Sequence, residues 1–550
     1  MNLEAPLPVV ELELQRELVQ GLLNPACYPH AAGRIAVIET HISFVVLTGE
    51  FAYKIKKSVD LGFLDFSTRE KRRFFCDEEL RLNRRLAPDL YLEVVAIRGT
   101  PAQPRIGGAG DAIEYAVKMR RFPQTALLDA VVRRRELSPA QIDALADTIA
   151  AFHARVGRAG PLAGCGSPAA IRAPMAQNFS QLRPLLGAAG DRATLDGIEA
   201  WSERECERLS ECFSARLEAG FVRECHGDLH LGNIALVDDE PRVFDCIEFN
   251  PNFRWIDVIS EVAFLVMDLA EHGRVDYARR FLDRYLESSG DYGGLQVLDF
   301  YLVYRAMVRA KIARMRAMQQ ALSRQEHEAA LAACDAYLAF AQRAMAPRLR
   351  MLAITHGVSG SGKTFVSQAV LEALGAVRVR SDVERKRLHD LAPQAQSGSG
   401  LRAGLYGEEA TLATYGELLR EARLIATRGF PVIVDATFLR RSQRETFRAL
   451  AGDLGVPFVI LDCTAPENVL RERVALRAAD GGDASEATLA VLDLQRRSRD
   501  GLSNDEEAAA IRIDTSAGDM QRALERVQQK LGASARKTFR PAELNGAQSQ

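Results

Sequence analysis

Residues 357–364 read Gly-Val-Ser-Gly-Ser-Gly-Lys-Thr, two residues after the apolar stretch Met351–Ile354 and running into a helical pattern that opens at Lys363. A strand, a glycine-rich turn and a helix in this order form a cradle for phosphate. Gly357, Gly360 and Gly362, with Ser359 and Ser361 between them, let successive backbone N–H groups turn inward around an anion. The helix N-terminus adds partial positive charge. Lys363 is placed to reach the β- and γ-phosphates of a nucleotide, and Thr364 to hold Mg²⁺.

Beyond this motif, strand and helix signals alternate: LAITHG, a helix, VRVRS, helices, PVIVDAT, a helix, FVILDC. That alternation predicts an α/β domain with a parallel sheet covered by helices on both faces, over 346–532. Asp435 ends the apolar strand of Val432-Ile-Val-Asp435-Ala-Thr437, where a carboxylate can hold the Mg²⁺ shell; a polar strand-end cap is the plainer reading. Asp382 follows the strand VRVR, at the carboxyl edge where open α/β sheets bind ligands. It is placed to take a proton from an acceptor hydroxyl, or to cap a helix over 383–389, or both. Arg471, Arg473 and Arg477 follow; Arg473 and Arg477 share one helical face and could clamp a transferring phosphoryl group, or form a solvated charged face. With GVSGSGKT, Arg380-Ser381-Asp382 and Val434-Asp435-Ala436-Thr437 in hand, residues of about 350–530 resemble the small P-loop kinases of the gluconate-kinase and polynucleotide-kinase-like group. The resemblance implies ATP and phosphoryl transfer, and leaves the acceptor open.

A second phosphate-handling pattern lies upstream. Residues 226–234 read His-Gly-Asp-Leu-His-Leu-Gly-Asn-Ile, and Asp245 follows in Val-Phe-Asp-Cys-Ile-Glu-Phe. Kinase chemistry needs one Asp to orient the acceptor hydroxyl, an Asn five positions later for Mg²⁺, and a second Asp at the end of the next strand to bridge metal and phosphates. Asp228, Asn233 and Asp245 have that order and spacing. The sequence here resembles the aminoglycoside phosphotransferase and choline-kinase-like branch of the protein-kinase-like fold, over about 30–340. The resemblance implies that Asp228 is the catalytic base and that Asn233 and Asp245 are metal ligands. It also implies a nucleotide-binding lysine on the third strand: Lys54 of Phe51-Ala52-Tyr53-Lys54, with Lys56 on the same face as competitor. Glu79 on the following helix would hold that lysine, with Glu78 the alternative, and the helix begun by Trp255-Ile256-Asp257 would support the catalytic loop. Two departures stand out. Residues 39–44, Glu-Thr-His-Ile-Ser-Phe, lack a Gly-x-Gly-x-x-Gly, and Asp245 is followed by Cys-Ile-Glu rather than Phe-Gly. No Ala-Pro-Glu segment follows, which argues against a protein substrate.

The domain plan is therefore an α+β protein-kinase-like two-lobed domain over 1–345, followed by the P-loop domain over 346–532 and a disordered tail over 533–550. The small lobe covers about 30–122 and the helical lobe about 123–345, with residues 157–174 as a surface loop and Pro347 at the boundary. A net charge of −2 argues against a nucleic-acid or membrane footprint. Nine scattered cysteines without a Cys-x-x-Cys pair suit a reducing cytoplasm. The acidic start does not read as a signal peptide, and no apolar run is long enough for a membrane span. The whole predicts two ATP- and Mg²⁺-dependent phosphotransferase sites acting on small-molecule hydroxyl acceptors. Competing readings make one half a regulatory nucleotide-binding module, or give the C-terminal half 5′-polynucleotide kinase activity.

Overall fold

The computed structural model describes residues 7–538, apart from 63, 161–163, 188, 320–321, 394, 396–403, 481–483 and 519. It contains two compact units: Met1–Arg274 with Val297–Met345, and Val275–Gln296 with Ala346–Gln550. No described helix is long and apolar enough to cross a membrane.

In the first unit, helix α1 (Leu7–Gly21) precedes strands β1 (Ala36–Glu39), β2 (Ser43–Leu47) and β3 (Phe51–Lys56), then helix α2 (Arg69–Asn83) and strands β4 (Tyr91–Thr100), β5 (Gln103–Ile106) and β6 (Ala112–Arg120). These strands form one antiparallel sheet in the order β1-β2-β3-β6-β4-β5. Alternation sets its faces: Phe44 and Val46 on β2 and Tyr53 and Ile55 on β3 join one apolar cluster. Thr68 starts α2 by accepting from the N–H of Lys71. The face that α2 buries is partly charged, with Arg72 and Glu79 among its buried residues. Buried ions persist only when paired: Arg72 meets Glu114 of β6 at 2.9 Å and Glu11 of α1 at 2.7 Å. Glu114→Ala is expected to cost about 3–5 kcal/mol, because Arg72 keeps its burial and loses its buried counter-charge, leaving only the partly exposed Glu11. Urea denaturation followed by tryptophan fluorescence measures this, and a loss below about 1 kcal/mol would contradict it.

The helical part holds α3 (Leu128–Arg133), α4 (Pro139–Arg155), α5 (Pro168–Leu182), α6 (Ala189–Arg208) and α7 (Ser210–Glu218). Helix α5 starts inside the stretch read as a loop, with Pro168 at its first turn and Pro174 within it. A strand island follows: β7 (Val222–Glu224), the hairpin β8 (Ile234–Val237) and β9 (Glu240–Val243), and β10 (Trp255–Asp257), which pairs with β7. Helix α8 (Val258–Glu271) is buried from Val258 through Leu269. Helices α9 (Val275–Ser289), α10 (Leu295–Ala317) and α11 (Arg324–Ala344) come next.

In the second unit, five parallel strands lie in the order β12 (Val377–Arg380), β13 (Val432–Asp435), β11 (Leu352–His356), β14 (Phe458–Thr464) and β15 (Ala510–Asp514). The chain leaves central β11 for the edge, returns through β13 and crosses to β14. The strand order therefore reverses beside β11, where such sheets bind ligands. The connecting helices are α12 (Lys363–Leu374), α13 (Ser381–Arg387), α14 (Glu408–Thr427), α15 (Arg441–Asp453), α16 (Glu467–Asp480), α17 (Leu489–Ser498), α18 (Asn504–Glu507) and α19 (Met520–Thr538). The tail expected from residue 533 is corrected, since α19 runs to Thr538; residues 539–550 lie outside those described.

The unbroken 1–345 domain is also corrected. Residues 275–296 belong to the second unit, where α9 packs on α12 and on edge strand β12. Asp283 accepts from the backbone N–H of Arg378 at 2.7 Å and pairs with its guanidinium at 3.1 Å. Glu287, one helical turn on, pairs with Arg380 at 3.3 Å. Burial pushes the Asp283 carboxyl up to about 6 despite Arg378, while Arg380 and Arg378 outweigh burial and hold Glu287 below the usual carboxylate range.

Candidate active sites

In the first unit, Asp228 sits on the loop between β7 and a short 3₁₀ turn, Leu231–Asn233. Gly227 has φ 91°, and a side chain there would meet the carbonyl of Phe253 at 2.6 Å, so only glycine fits. The loop is braced from below. Glu261 accepts from the Gly227 N–H at 2.7 Å, Asp268 accepts from the Leu231 N–H at 2.8 Å, and Arg305 of α10 donates to the Gly227 carbonyl at 3.2 Å. His226 spans the loop: Nε2 bonds the Phe244 carbonyl at 2.8 Å and Nδ1 accepts from the Asp228 N–H. Asp257 accepts from the Ile259 N–H at the start of α8 and pairs with Arg216 at 2.6 Å, so it supports the helix under the loop.

Asn233 donates from Nδ2 to Asp228 Oδ2 at 3.0 Å, which leaves its amide oxygen without a bond among the described residues. Asp245 has φ 65°, a left-handed conformation that costs about 1–3 kcal/mol in a non-glycine residue and clusters at functional sites. Its N–H donates to Tyr91 Oη at 3.1 Å. Lys54 reaches Asp245 Oδ1 and also pairs with Glu79 Oε1 at 2.8 Å. Burial works against the lysine's charge, but Asp245 and Glu79 outweigh it and hold the ammonium well above the usual range.

The two lysines and the two glutamates have different partners. Lys56 is only 1% exposed and ties Glu79, at 2.7 Å, to Glu248, while Glu78 turns toward Arg81. Glu248, in the Cys-Ile-Glu that replaces Phe-Gly, is a member the sequence reading missed; its place three residues after Asp245 was the available signal. Lys54 thus meets Glu79 and Asp245, and Asp228 meets Asn233, on segments joined by the Phe244 N–H to Asn233 carbonyl bond. Their hard oxygen donors suit Mg²⁺.

In the second unit, the loop after β11 requires its glycines. Added side chains at Gly357, Gly360 and Gly362 would meet the Cys463 carbonyl at 2.5 Å, the Leu470 carbonyl at 2.7 Å and Thr515 at 2.8 Å. Ser359 N–H donates to Gln495 of α17 at 2.7 Å, a contact with no sequence signal. Ser361 Oγ is buried without a hydrogen-bond partner among the described residues. Lys363 donates to the Val358 carbonyl at 2.9 Å, and burial lowers its pKa against the opposing pull of Asp435. Asp435 accepts from Ser367, one turn past Thr364, at 3.0 Å. The orphaned Ser361 hydroxyl, the glycine-built loop and the oxygens of Thr364 and Asp435 fit a nucleotide phosphate with Mg²⁺.

Asp382 lies inside the first turn of α13, whose N-cap is Arg380, so the capping alternative for Asp382 is corrected. Arg473 donates to the Gly360 carbonyl at 3.3 Å and to Thr515 Oγ1 at 2.7 Å, buttressing the loop from outside. Arg477 is half-buried one turn further along α16, and Arg471 pairs with Asp493 and Glu467 on another face.

The two sites and their folds define a phosphotransferase assembled from two kinase-type domains. A family model described as "Phosphotransferase enzyme family" matches residues 68–301, and one described as "AAA domain" matches 352–502. The chain belongs to the same family as Rv2004c of Mycobacterium tuberculosis and Mb2027c of Mycobacterium bovis, each 34% identical over 458 residues, covering 83% of this chain and 89% of the relative. Among solved structures, a choline/ethanolamine kinase family protein from Mesorhizobium loti is 12% identical over 60% of this chain and 99% of its own, with a TM-score of 0.35. A gluconokinase from Sinorhizobium meliloti is 22% identical over 35% and 97%, with a TM-score of 0.25.

Proposed function

We propose that the chain is bifunctional, each unit transferring the γ-phosphoryl group of ATP to a hydroxyl of a small molecule. The observation that carries this reading is the contact of Lys54 with Asp245, 191 residues apart, beside an Asp228–Asn233 pair on the catalytic-type loop, in a chain that also holds a glycine-built phosphate loop.

In the first unit Lys54 binds the α- and β-phosphates, Asn233 and Asp245 hold Mg²⁺, and Asp228 takes the acceptor's proton. In the second, residues 357–364 grip the phosphates, Thr364 and Asp435 hold Mg²⁺, Asp382 is the base, and Arg477 faces the transferred group. Bound Mg²⁺ neutralises charge that develops on the phosphoryl oxygens.

Calorimetric titration with a non-hydrolysable ATP analogue and Mg²⁺ tests the two-site claim. Wild type is expected to bind two nucleotides per chain and Lys363→Ala one, because loss of the loop lysine removes the charge that meets the β- and γ-phosphates. A stoichiometry of one in wild type refutes two sites. Transfer from γ-labelled ATP to a panel of polar metabolites, with Asp228→Asn and Lys363→Ala compared, then assigns each acceptor. Activity lost in only one variant for every acceptor would favour a regulatory role for the other unit.

A further inference from the structure

The catalytic-loop carboxylate of the first unit has its two oxygens in unlike surroundings. Oδ2 of Asp228 accepts from Asn233 Nδ2 at 3.0 Å, and Nε2 of His230 lies 3.3 Å from the same oxygen. No described residue bonds Oδ1. His230 is not a solvated bystander, since its side chain is 15% exposed. It also caps the 3₁₀ turn: its Nδ1 accepts from the backbone N–H of Gly232 at 3.1 Å. That fixes the neutral tautomer, because a nitrogen that accepts from an amide carries the lone pair, and the ring proton is left on Nε2, the nitrogen beside Asp228. The ring packs against Phe264 of α8, with centroids 5.5 Å apart. His230 is therefore held by an amide on one side, an aromatic ring on another and the carboxylate in front.

We propose that His230 is the positioning residue of Asp228, its Nε2–H engaging Oδ2 with Asn233 so that Oδ1 alone faces the incoming hydroxyl. The inference rests on the reading of Asp228 as the base. The charged groups around the ring are Asp228 itself, Asp268 of α8 and Arg309 of α10. Asp268 accepts from the Leu231 N–H through Oδ2 and cannot donate to Asp228, and Arg309 donates to Tyr337 Oη at 3.2 Å. Without His230, one amide remains to orient the carboxylate, and rotation about its Cβ–Cγ bond lets either oxygen swing away from the acceptor. Misplacement of a reacting group by about 1 Å can cost on the order of 10²-fold in rate.

The test uses the full chain in a Lys363→Ala background, which silences the other cradle, with γ-labelled ATP and water as the only acceptor. Release of labelled phosphate is followed in the parent, His230→Ala, His230→Gln and Asp228→Asn. The inference expects kcat to fall about 10–100-fold in His230→Ala with KM for ATP within about twofold, and much of kcat to return in His230→Gln, whose amide can again donate to Oδ2. Parental activity in Asp228→Asn sinks the underlying reading of Asp228. A dead Asp228→Asn beside a fully active His230→Ala sinks the role of His230 alone. A His230→Gln variant no better than His230→Ala does the same, since a ring that merely fills space cannot be told from one that donates by any other outcome.

Discussion

Asp228→Asn is expected to lower phosphoryl transfer at the first site by about 10²–10⁴-fold while ATP affinity stays within about twofold. The substitution keeps shape and keeps an acceptor oxygen for Asn233, whose amide lies 3.0 Å away. It removes only the capacity to take a proton. Burial pushes the Asp228 carboxyl up, but the His230 contact and the nearby Arg305 outweigh it, so the group is ionised at neutral pH and ready to accept. Asp245→Asn is the contrasting variant. It strips a charge that Lys54 uses, and so weakens nucleotide binding as well as turnover. The two variants separate base from metal ligand when KM and kcat are measured with saturating Mg²⁺. Equal loss of ATP affinity in both would contradict the assignment of distinct roles.

Glu287→Ala is expected to cost the second unit about 3–5 kcal/mol, a large share of the roughly 5–15 kcal/mol that holds a domain together. Glu287 is 1% exposed and faces Arg378, Arg380 and Arg284 at 3.7, 3.3 and 3.1 Å. Arg378 is 6% exposed, so losing the carboxylate leaves its charge buried with Asp283 alone. Glu287→Gln, which keeps hydrogen bonds and loses charge, is expected to fall between. The two tryptophans, Trp201 and Trp255, both belong to the first unit. Fluorescence therefore reports that unit, while protection by Mg²⁺–ATP of the Lys363 loop from proteolysis reports the second. A shifted second transition with an unshifted fluorescence transition is the expected pattern. An equal shift in both would contradict a contribution of Glu287 confined to the second unit.

Chemistry was easier to read than membership. GVSGSGKT and HGDLHLGN each compress a site into eight residues, because backbone cradles and catalytic loops are local structures. The boundary beside Pro347 was legible for the same reason, since it shows in local pattern. The place of α9 was not. Asp283 and Glu287 lie one turn apart on a helix, and Arg378 and Arg380 alternate on a strand some 95 positions away; each pattern alone reads as an ordinary charged face. Glu79 and Glu78 were likewise indistinguishable until the phase of α2 on the sheet was fixed, which put Glu79 between Lys54 and Lys56. Arg473 looked like a phosphate clamp on spacing, and only the fold brings it to Thr515.

The placement of α9 also sets an order of events during synthesis. Residues 275–296 leave the ribosome well before β12 at Val377–Arg380, and before β15 at Ala510–Asp514 by roughly 10–40 s at ordinary elongation rates. Through that interval the nascent chain carries α9 unmatched, its Phe281, Tyr285 and Leu286 and its carboxylates Asp283 and Glu287, all buried in the folded protein, waiting for a partner not yet made. The first unit can close around Val297–Met345 while this segment stays outside it. The second cannot complete itself from its own C-terminal sequence, so a ribosome stalled or a chain cut between the two leaves a helix without a home rather than one finished enzyme.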